Sequence, residues 1–319
     1  MKIKRLLTLV LSAALPVFVF AGGETGGDVL KVDAGNRASG MAGAYTAAGA
    51  GVESIFYNPA GMSSLLKTQF VYSHLFSYAS MAVEQISFGK YVDTPLIEGS
   101  AGLSILYRHM PAISNADAKD APVEFYDFVL AGVFANDMYS IIRDEFYKNL
   151  TFGISAKLIF ENIGLYKATT YAADLGIKYA FPGSGFALGA AVLNAGAPVK
   201  IISESAPLPL TARIGARYQF DFDADNHLDL ALDYIHDFYD YPRAAFGIED
   251  KLIDMLYLRL GINAPFDSRS AAFAAAGFGV KITQFEVDVT LNYTYKPVFI
   301  NGFNVIESTH SAGMTVDLP

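Results

Sequence analysis

QFEVDVTLNYTYK, residues 284–296, alternates polar and apolar side chains over its whole length. On an extended chain, one face of this stretch carries only apolar residues and the other face carries only polar ones. A period of two is typical of a β-strand whose two faces meet different surroundings. The stretch therefore predicts a strand over residues 284–297.

The same alternation recurs along most of the chain, for example in residues 150–160, 171–179 and 210–218. It predicts fourteen strands, over residues 67–76, 79–92, 98–110, 122–136, 149–163, 166–181, 185–197, 208–221, 226–240, 242–249, 254–264, 270–282, 284–297 and 308–318. The number is even, as in bacterial barrels formed by a single chain.

The N-terminus has the pattern of an export signal. Three basic residues precede an apolar stretch, residues 6–20, which is followed by the small residue Ala21. This order is typical of a secretory signal peptide with cleavage after Ala21, and we predict one over residues 1–21. The alternative is an uncleaved membrane anchor.

The composition restricts where the apolar residues can lie. The chain is 52% hydrophobic and has no cysteine, so it forms no disulfide framework. After residue 21 the longest apolar run, Ala271–Val280, falls short of the ~18 residues of a membrane helix. Because only helices and closed barrels satisfy their backbone hydrogen bonds in lipid, the chain is either a membrane barrel or a soluble β-protein.

Alternation alone does not separate these two alternatives, since a soluble sandwich buries its apolar face and a membrane barrel turns that face to lipid. The predicted strands are long, and aromatic pairs such as Tyr171 and Tyr179 stand near their ends, where a membrane barrel has its aromatic girdles. Together with the export signal, this favours an all-β fold, a fourteen-stranded transmembrane antiparallel β-barrel over residues 67–319. We expect long connections at 111–121, 198–207 and 298–307 and a short amphipathic helix within 137–148.

Residues 22–66 do not alternate. They are rich in glycine and alanine but also contain Met41, Tyr45 and Phe56, which a flexible linker rarely carries. We expect a plug, packed closely through its small residues; the alternative is a linker.

The segment DAGNRASGMAGAYTAAGAGVESIFYNPAGMSSL, residues 33–65, resembles the N-terminal segment of FadL-type outer-membrane transporters, and the PorV/PorQ-like branch of that superfamily most of all. Asn58, Pro59 and Ala60 match the N-P-A motif of the family's hatch. Gly40, Gly43, Ala44 and Tyr45 match its small-residue helix. The resemblance implies an outer-membrane barrel with a hatch, residues 22–66, folded into its lumen.

The motif Asn58-Pro59-Ala60-Gly61 also has a physical interpretation. Pro59 favours an extended conformation at Asn58, whose side chain can bond neighbouring backbone groups. Gly61 permits a positive φ, and we expect the chain to turn sharply here and enter the first strand. The alternative is an ordinary turn before a strand.

The function that the resemblance implies is passive uptake of hydrophobic small molecules, with long-chain fatty acids as the expected ligands. Outer-membrane lipid and the barrel assembly machinery are the expected partners. In the family, ligand leaves sideways through a gap in the wall, and Gly99 and Gly102 are the candidates for loosening it here.

The alternative function is that of a PorV-like interaction protein, which binds secreted cargo proteins at the cell surface. The discriminating feature is the lumen, because uptake of hydrophobic molecules requires an apolar internal path. The inward positions of the predicted strands are charged: Lys157, Asp174, Lys178, Arg213, Arg217, Asp229, Asp233, Arg259, Glu286 and Asp288. Such a lumen weakens the fatty-acid interpretation.

Other function classes have no support in the sequence. No spacing indicates a catalytic residue, a metal site or a cofactor, so we predict that the protein is not an enzyme. The net charge of −9 becomes −12 when Lys2, Lys4 and Arg5 leave with the signal peptide, which disfavours binding to nucleic acid.

Overall fold

A computed structural model describes residues 25–77, 80–94, 98–113, 123–201, 204–267, 271–300 and 304–319. The predicted signal peptide lies outside these residues.

Fourteen strands form a closed antiparallel barrel in which each strand pairs with its two neighbours. The strands of the structure are β1 Thr68–Phe76, β2 Ala82–Asp93, β3 Glu98–Ile113, β4 Val123–Asp137, β5 Leu150–Ile163, β6 Tyr166–Ala180, β7 Phe186–Gly196, β8 Val199–Ile201, β9 Glu204–Ala206, β10 Thr211–Asp221, β11 His227–Asp237, β12 Arg243–Leu252, β13 Leu256–Pro265, β14 Ala272–Gln284, β15 Val287–Ile300 and β16 Asn304–Leu318. All except β8 and β9, which form a separate hairpin, belong to the barrel. The predicted fold class and strand number are confirmed.

The stretch 284–296 is not one strand throughout, as the alternation predicted. Gln284 ends β14, Phe285 and Glu286 form a two-residue turn, and β15 begins at Val287. Both turn residues have positive φ, 51° and 65°, as a tight hairpin whose twist matches its strands requires. The sequence pattern did not indicate the turn, because apolar Phe285 and polar Glu286 continue the alternation of the strands on either side. Glu286 therefore lies in a turn and not on the inward face of a strand.

The two faces of the barrel wall differ as the alternation predicts. On β6, Leu175 and Ile177 point outward and are exposed. Asp174 lies on the opposite face of the strand, points into the lumen and is buried. On β13, Leu258, Leu260 and Ile262 repeat the exposed apolar face. An apolar belt outside and polar groups inside are the arrangement of a membrane-spanning barrel, and the fold is that of an outer-membrane protein.

The barrel has two rims. We call the rim where β1 begins and β16 ends the terminal rim, and the opposite one the distal rim. Of the long connections predicted at the distal rim, residues 298–307 are mostly strand, since β15 and β16 continue to pair as far as Ile300 and Asn304 beyond a bulge at Val298. Part of the predicted loop 111–121 lies outside the described residues.

The helix predicted within 137–148 is broken. The structure has a short helix, α2, over Met138–Ile142 and a 3₁₀ turn over Glu145–Tyr147. Arg143 separates them with a φ of 56°, which a continuing helix does not allow. Ile141 and Ile142 are exposed, so neither piece buries an apolar face.

Residues 25–67, which we call the N-terminal segment, fill the barrel. They contain 3₁₀ turns over Asp28–Lys31, Gly51–Phe56 and Pro59–Ser64 and the helix Asn36–Gly40, called α1. The segment starts near the distal rim, where the Gly27 amide donates to Glu161 of β5, and it ends beside the start of β1. Side chains such as Tyr45, Val52 and Ile55 are fully buried. The segment is therefore packed like a protein core.

The connection between β7 and β10 also closes the lumen from the distal side. It carries the β8–β9 hairpin, and its Val199 and Leu208 are buried against Val29 of the N-terminal segment. The Gly26 amide donates to the Pro207 carbonyl at 3.0 Å. The two ends of the plug, one from the N-terminus and one from this connection, thus meet in the distal half of the barrel.

Candidate functional site

Asn58 joins two parts of the N-terminal segment to the wall. Its side-chain Nδ2 donates to the Thr46 carbonyl at 2.8 Å and to the Ile177 carbonyl of β6 at 3.0 Å. Its Oδ1 accepts from the Ala60 amide at 3.1 Å and so caps the 3₁₀ turn that follows. Asn58 has the extended conformation expected before a proline, with φ −159° and ψ 105°. The side chain is fully buried, so its three hydrogen bonds replace water completely.

Gly61 does not use the positive φ that glycine permits, and the sharp turn that we predicted at this position is absent. Residues Pro59–Ser64 continue as a 3₁₀ turn. Glycine is needed here for a close approach, since a Cβ at this position would lie 2.6 Å from Ser54 Cβ and 2.7 Å from the Gly49 carbonyl oxygen. The hydrogen-bonded turn and not a sharp reversal leads into β1.

The small-residue segment is helical only at its start. Gly40 is the last residue of α1, and Ala42 and Gly43 then take positive φ values of 52° and 77°. Ala44 and Tyr45 lie beyond the helix and are fully buried. The predicted helix therefore breaks after one turn, and its small residues instead allow the backbone to fold tightly against the wall.

An ion pair on the wall holds this folded backbone. Asp233 of β11 accepts hydrogen bonds from the Tyr45 amide at 3.0 Å and from the Thr46 amide at 2.9 Å. Arg213 of β10 pairs with Asp233 at 2.9 Å and also donates to Thr46 Oγ1 and to the Gly43 carbonyl. Both charged groups are buried, and each satisfies the other while binding the segment.

A second ion-pair network lies nearer the terminal rim. Arg37 of the N-terminal segment pairs with Glu249 of β12 at 2.7 Å. Glu249 also accepts from Arg259 of β13 at 2.6 Å, and Arg259 donates to Asn292 of β15 at 2.8 Å. These groups line a polar cavity of about 540 Å³ at the terminal rim. Many of the inward charges therefore anchor the N-terminal segment, a role that the strand pattern did not reveal.

The wall has a ring of inward-facing glycines against which the segment lies. They form directly opposed pairs on adjacent strands: Gly89 with Gly102, Gly153 with Gly176, Gly189 with Gly215, and Gly247 with Gly261. A Cβ on Gly261 would lie 2.7 Å from the Ala42 nitrogen, and one on Gly153 would overlap the backbone of Pro59 and Ala60. The sequence signal for these glycines is their position on the polar face of the predicted strands, as at Gly153 and Gly176. We did not use this signal in predicting the lumen.

Apolar side chains fill the rest of the lumen in three clusters. The distal cluster combines the wall residues Leu75, Val83, Leu106, Val129 and Ile159 with Val29, Val199 and Leu208, among others. The terminal cluster combines Val71, Ala131, Val133 and Ala135 of the wall with Val52, Ile55, Met62 and Leu65. The β11–β12 cluster places Met41, Tyr45 and Tyr57 against Ala231, Ile235 and Ala245. The wall side chains of the distal and terminal clusters come from β1 to β6, whereas the Arg213 and Arg37 networks lie on β10 to β15.

A cavity of about 400 Å³ opens next to the distal cluster. Met81, Met110, Phe125 and Ile163 provide apolar walls, and Arg108, Asp127 and Glu161 provide charged groups. Arg108 donates to Asp127 at 2.6 Å. The cavity thus combines an apolar lining with a partly exposed guanidinium group.

The two glycines predicted to loosen the wall lie in a continuously paired strand. Gly99 pairs with Val92, and Gly102 pairs with both Gly89 and Val133. Met62 of the N-terminal segment covers this part of the wall from inside, since a Cβ on Gly102 would lie 2.8 Å from Met62 Cε. A lateral opening at this position remains a prediction.

The part of the chain that the structure describes contains no group of three or more His, Asp or Glu side chains placed to hold a metal ion. Among the same residues, no helix is both long and apolar enough to cross a membrane.

Two solved structures are similar to this barrel over most of its length. The structure is similar to the CymD monoaromatic hydrocarbon channel, with a TM-score of 0.57 and 10% identity over 88% of this chain and 96% of that one. It is also similar to the toluene transporter TodX of Pseudomonas putida, with a TM-score of 0.52 and 12% identity over 86% of this chain and 96% of that one. The likeness shows the fold that these structures share with this chain, here a closed barrel of fourteen antiparallel strands. No family profile and no curated protein matches the sequence.

Proposed function

We propose that the protein is a passive outer-membrane channel for hydrophobic small molecules, with long-chain fatty acids as its ligands. The observation that carries this proposal is the distal cavity, which lies next to the distal cluster and is separated from it on β3, β4 and β5 by the paired residues Arg108, Asp127 and Glu161. Ile159 and Leu106 of that cluster lie on the same strands as the cavity residues Ile163 and Met110. Apolar side chains therefore line this side of the lumen on both sides of the charged layer.

The charged groups of the distal cavity suit a ligand with one polar end. Arg108 is partly exposed, and its guanidinium group still has donors that Asp127 does not use. A carboxylate is the natural partner for such a group, while Met110 and Phe125 offer contact to an alkyl chain. The guanidinium group favours a fatty acid over a hydrocarbon without a polar group, whereas Asp28, Asp127 and Glu161 in the same lining oppose a carboxylate.

In this proposal the N-terminal segment acts as the hatch. Its ion pairs and the Asn58 hydrogen bonds close the lumen to water and ions, and the ligand passes along the β1–β6 side. The terminal cavity is polar, so departure of an apolar ligand in that direction is unfavourable. The wall at Gly99 and Gly102 is the proposed place of lateral release, and Met62 lies against Gly102 from inside.

The test is a comparison of solutes in liposomes that contain the purified, folded barrel. We expect a fluorescent long-chain fatty acid to enter faster than into protein-free liposomes, while a sugar of similar mass does not. Arg108→Gln is expected to weaken saturable uptake of the fatty acid but not uptake of the corresponding alkane. Equal entry of sugar and fatty acid would indicate a general pore and contradict the proposal.

The second candidate is a PorV-like protein that binds secreted cargo. The observation in its favour is the filling of the lumen, since the N-terminal segment and the connection between β7 and β10 occupy both halves of the barrel. If the folded barrel transports no hydrophobic solute, crosslinking at the distal loops in whole cells should identify exported proteins as its partners.

A further inference from the structure

The distal and terminal clusters are stacked on each other along the wall. Val129 belongs to the distal cluster, and Ala131, the next inward-facing residue of β4, belongs to the terminal cluster. Residues two apart on one face of a strand are about 7 Å apart, so the two clusters adjoin without a polar layer on this strand. Since no wall residue of β4 lies between the two clusters, a side chain that divides them belongs to the N-terminal segment.

Phe56 is the residue of that segment that contacts both. Its side chain packs against the distal, the terminal and the β11–β12 cluster, and it is the only apolar residue recorded against all three among the described residues. Residues 51–62 are buried with the single exception of Phe56, which is partly exposed inside the lumen. Phe56 therefore keeps some accessible surface inside the lumen, although it lines neither the distal nor the terminal cavity, while its neighbours Ile55 and Tyr57 are buried.

A charged group from the wall lies over the same ring. Lys157 Nζ of β5 is 5.6 Å from the centroid of Phe56, within the range of a cation–π contact. Lys157 is itself fixed by Asp174 at 2.7 Å and by Asn194 at 2.7 Å. The lysine thus favours one orientation of the ring without covering its other side.

We propose that Phe56 is the gate between the distal and the terminal cluster and that its ring sets the size of hydrophobic molecule that passes. The inference rests on the proposed channel function. Rotation of this one side chain would join the two clusters while the anchored backbone stays in place. An opening one ring wide admits an alkyl chain or a single aromatic ring in preference to fused rings.

The experiment compares three variants with the wild type in liposomes. Phe56→Ala removes the ring, Phe56→Trp enlarges it, and Phe56→Leu keeps an apolar side chain of intermediate size. Ile55→Ala is the matched control, because Ile55 lies in the same 3₁₀ turn but belongs only to the terminal cluster. Each protein is first checked for its folded form by heat-modifiable migration on a gel. Uptake of a fluorescent long-chain fatty acid and of N-phenyl-1-naphthylamine, which has a fused ring, is then measured.

Phe56→Ala is expected to raise uptake of the naphthylamine about tenfold, equivalent to about 1.4 kcal/mol of barrier. Uptake of the fatty acid should rise less, so the ratio of the two rates changes. Phe56→Trp should lower both rates, Phe56→Leu should lie between the alanine variant and the wild type, and Ile55→Ala should keep the wild-type ratio.

The outcomes separate the two proposals. If the wild type takes up neither probe, the channel function is wrong and this inference falls with it. If the wild type transports but the ratio is the same in all Phe56 variants, or changes equally in Ile55→Ala, only the gate is overturned. If Phe56→Ala does not fold, the ordering of the leucine and tryptophan variants on either side of the wild type decides the question.

Discussion

Asp233 Oδ2 lies 2.6 Å from Thr46 Oγ1 and 2.9 Å from the Thr46 backbone nitrogen. A wall carboxylate thus binds the backbone and side chain of a residue nearly 190 positions earlier in the chain. Arg213 compensates its charge and binds the same threonine. The buried charges at this place hold the N-terminal segment in the lumen and do not line an open path.

Loss of the Asp233 charge should loosen the N-terminal segment. In Asp233→Asn, Arg213 stays buried without its counter-ion, at a local cost of about 3–5 kcal/mol. The closed ladder of strands should survive, so we expect a folded barrel with raised ion conductance in planar bilayers and faster trypsin cleavage after Arg37. Asp223→Asn, in an exposed turn at the terminal rim, removes the same charge and should behave like the wild type. Equal conductance of the two variants would mean that the ion pair does not hold the hatch.

Asn58→Ala should alter permeation but leave the barrel assembled. The change removes three hydrogen bonds, including the one to the Ile177 carbonyl of the wall, at about 1–3 kcal/mol of local stability. We expect fatty-acid uptake or ion leakage in liposomes to differ from that of the wild type. Asn226→Ala is the control, because the Asn226 side chain bonds only Asp223 in its own turn and the Ile253 amide in the next turn of the terminal rim, both exposed. If permeation is unchanged in a verified folded barrel, the motif at Asn58 serves only as a turn. If the barrel fails to assemble, the motif is needed for folding and a role in permeation is not supported.

The inward glycines should not tolerate a methyl group. Gly153→Ala places a Cβ on the backbone of Pro59 and Ala60, which cannot move without breaking the Asn58 hydrogen bonds. We expect a lower yield of folded barrel, or a folded barrel in which trypsin reaches Arg37. The matched change is Gly132→Ala on β4, where a Cβ has only Leu103 Cδ2 nearby, at 3.7 Å. If both variants fold with wild-type yield and protease resistance, the close packing of segment and wall is not needed.

Stability should depend on pH through Glu53. Burial raises the pKa of this carboxyl above its ordinary value of 4.5, against the opposing effects of Arg259 and Arg37. Because the folded protein then holds this proton more tightly than the unfolded chain, Glu53 contributes stability at low pH that is lost as the pH rises from about 4.5 through the raised value. Glu53→Gln should remove this part of the pH dependence and be more stable than the wild type at neutral pH. Unfolding midpoints of both proteins in detergent between acid and neutral pH provide the measurement, and parallel curves would contradict the assignment.

The sequence predicted the wall far better than the contents of the lumen. Strands such as 149–163 and 166–181 were predicted to within a residue at each end, because a wall strand needs one lipid-facing and one lumen-facing side throughout. The turn at Phe285 and Glu286 was not predicted, because an apolar residue followed by a polar one continues the alternation of the flanking strands. The helix expected across Gly40 to Tyr45 failed for a different reason. Small residues permit close packing in many backbone conformations, and the contacts with Arg213 and Asp233 select the one observed.

By itself the sequence determined that the strands alternate with a period of two, as in a membrane barrel of fourteen strands, and that a glycine-rich segment precedes them. Local residue order is sufficient for this, because each strand meets lipid on one side whatever its neighbours are. Only the tertiary structure decided what the inward residues do. Arg37 meets Glu249, Lys157 lies over Phe56, and Gly153 faces Pro59, although each pair is far apart in the chain. The lumen is filled by residues brought together through closure of the barrel, so their partners are set by strand register and cannot be found from any stretch of sequence alone.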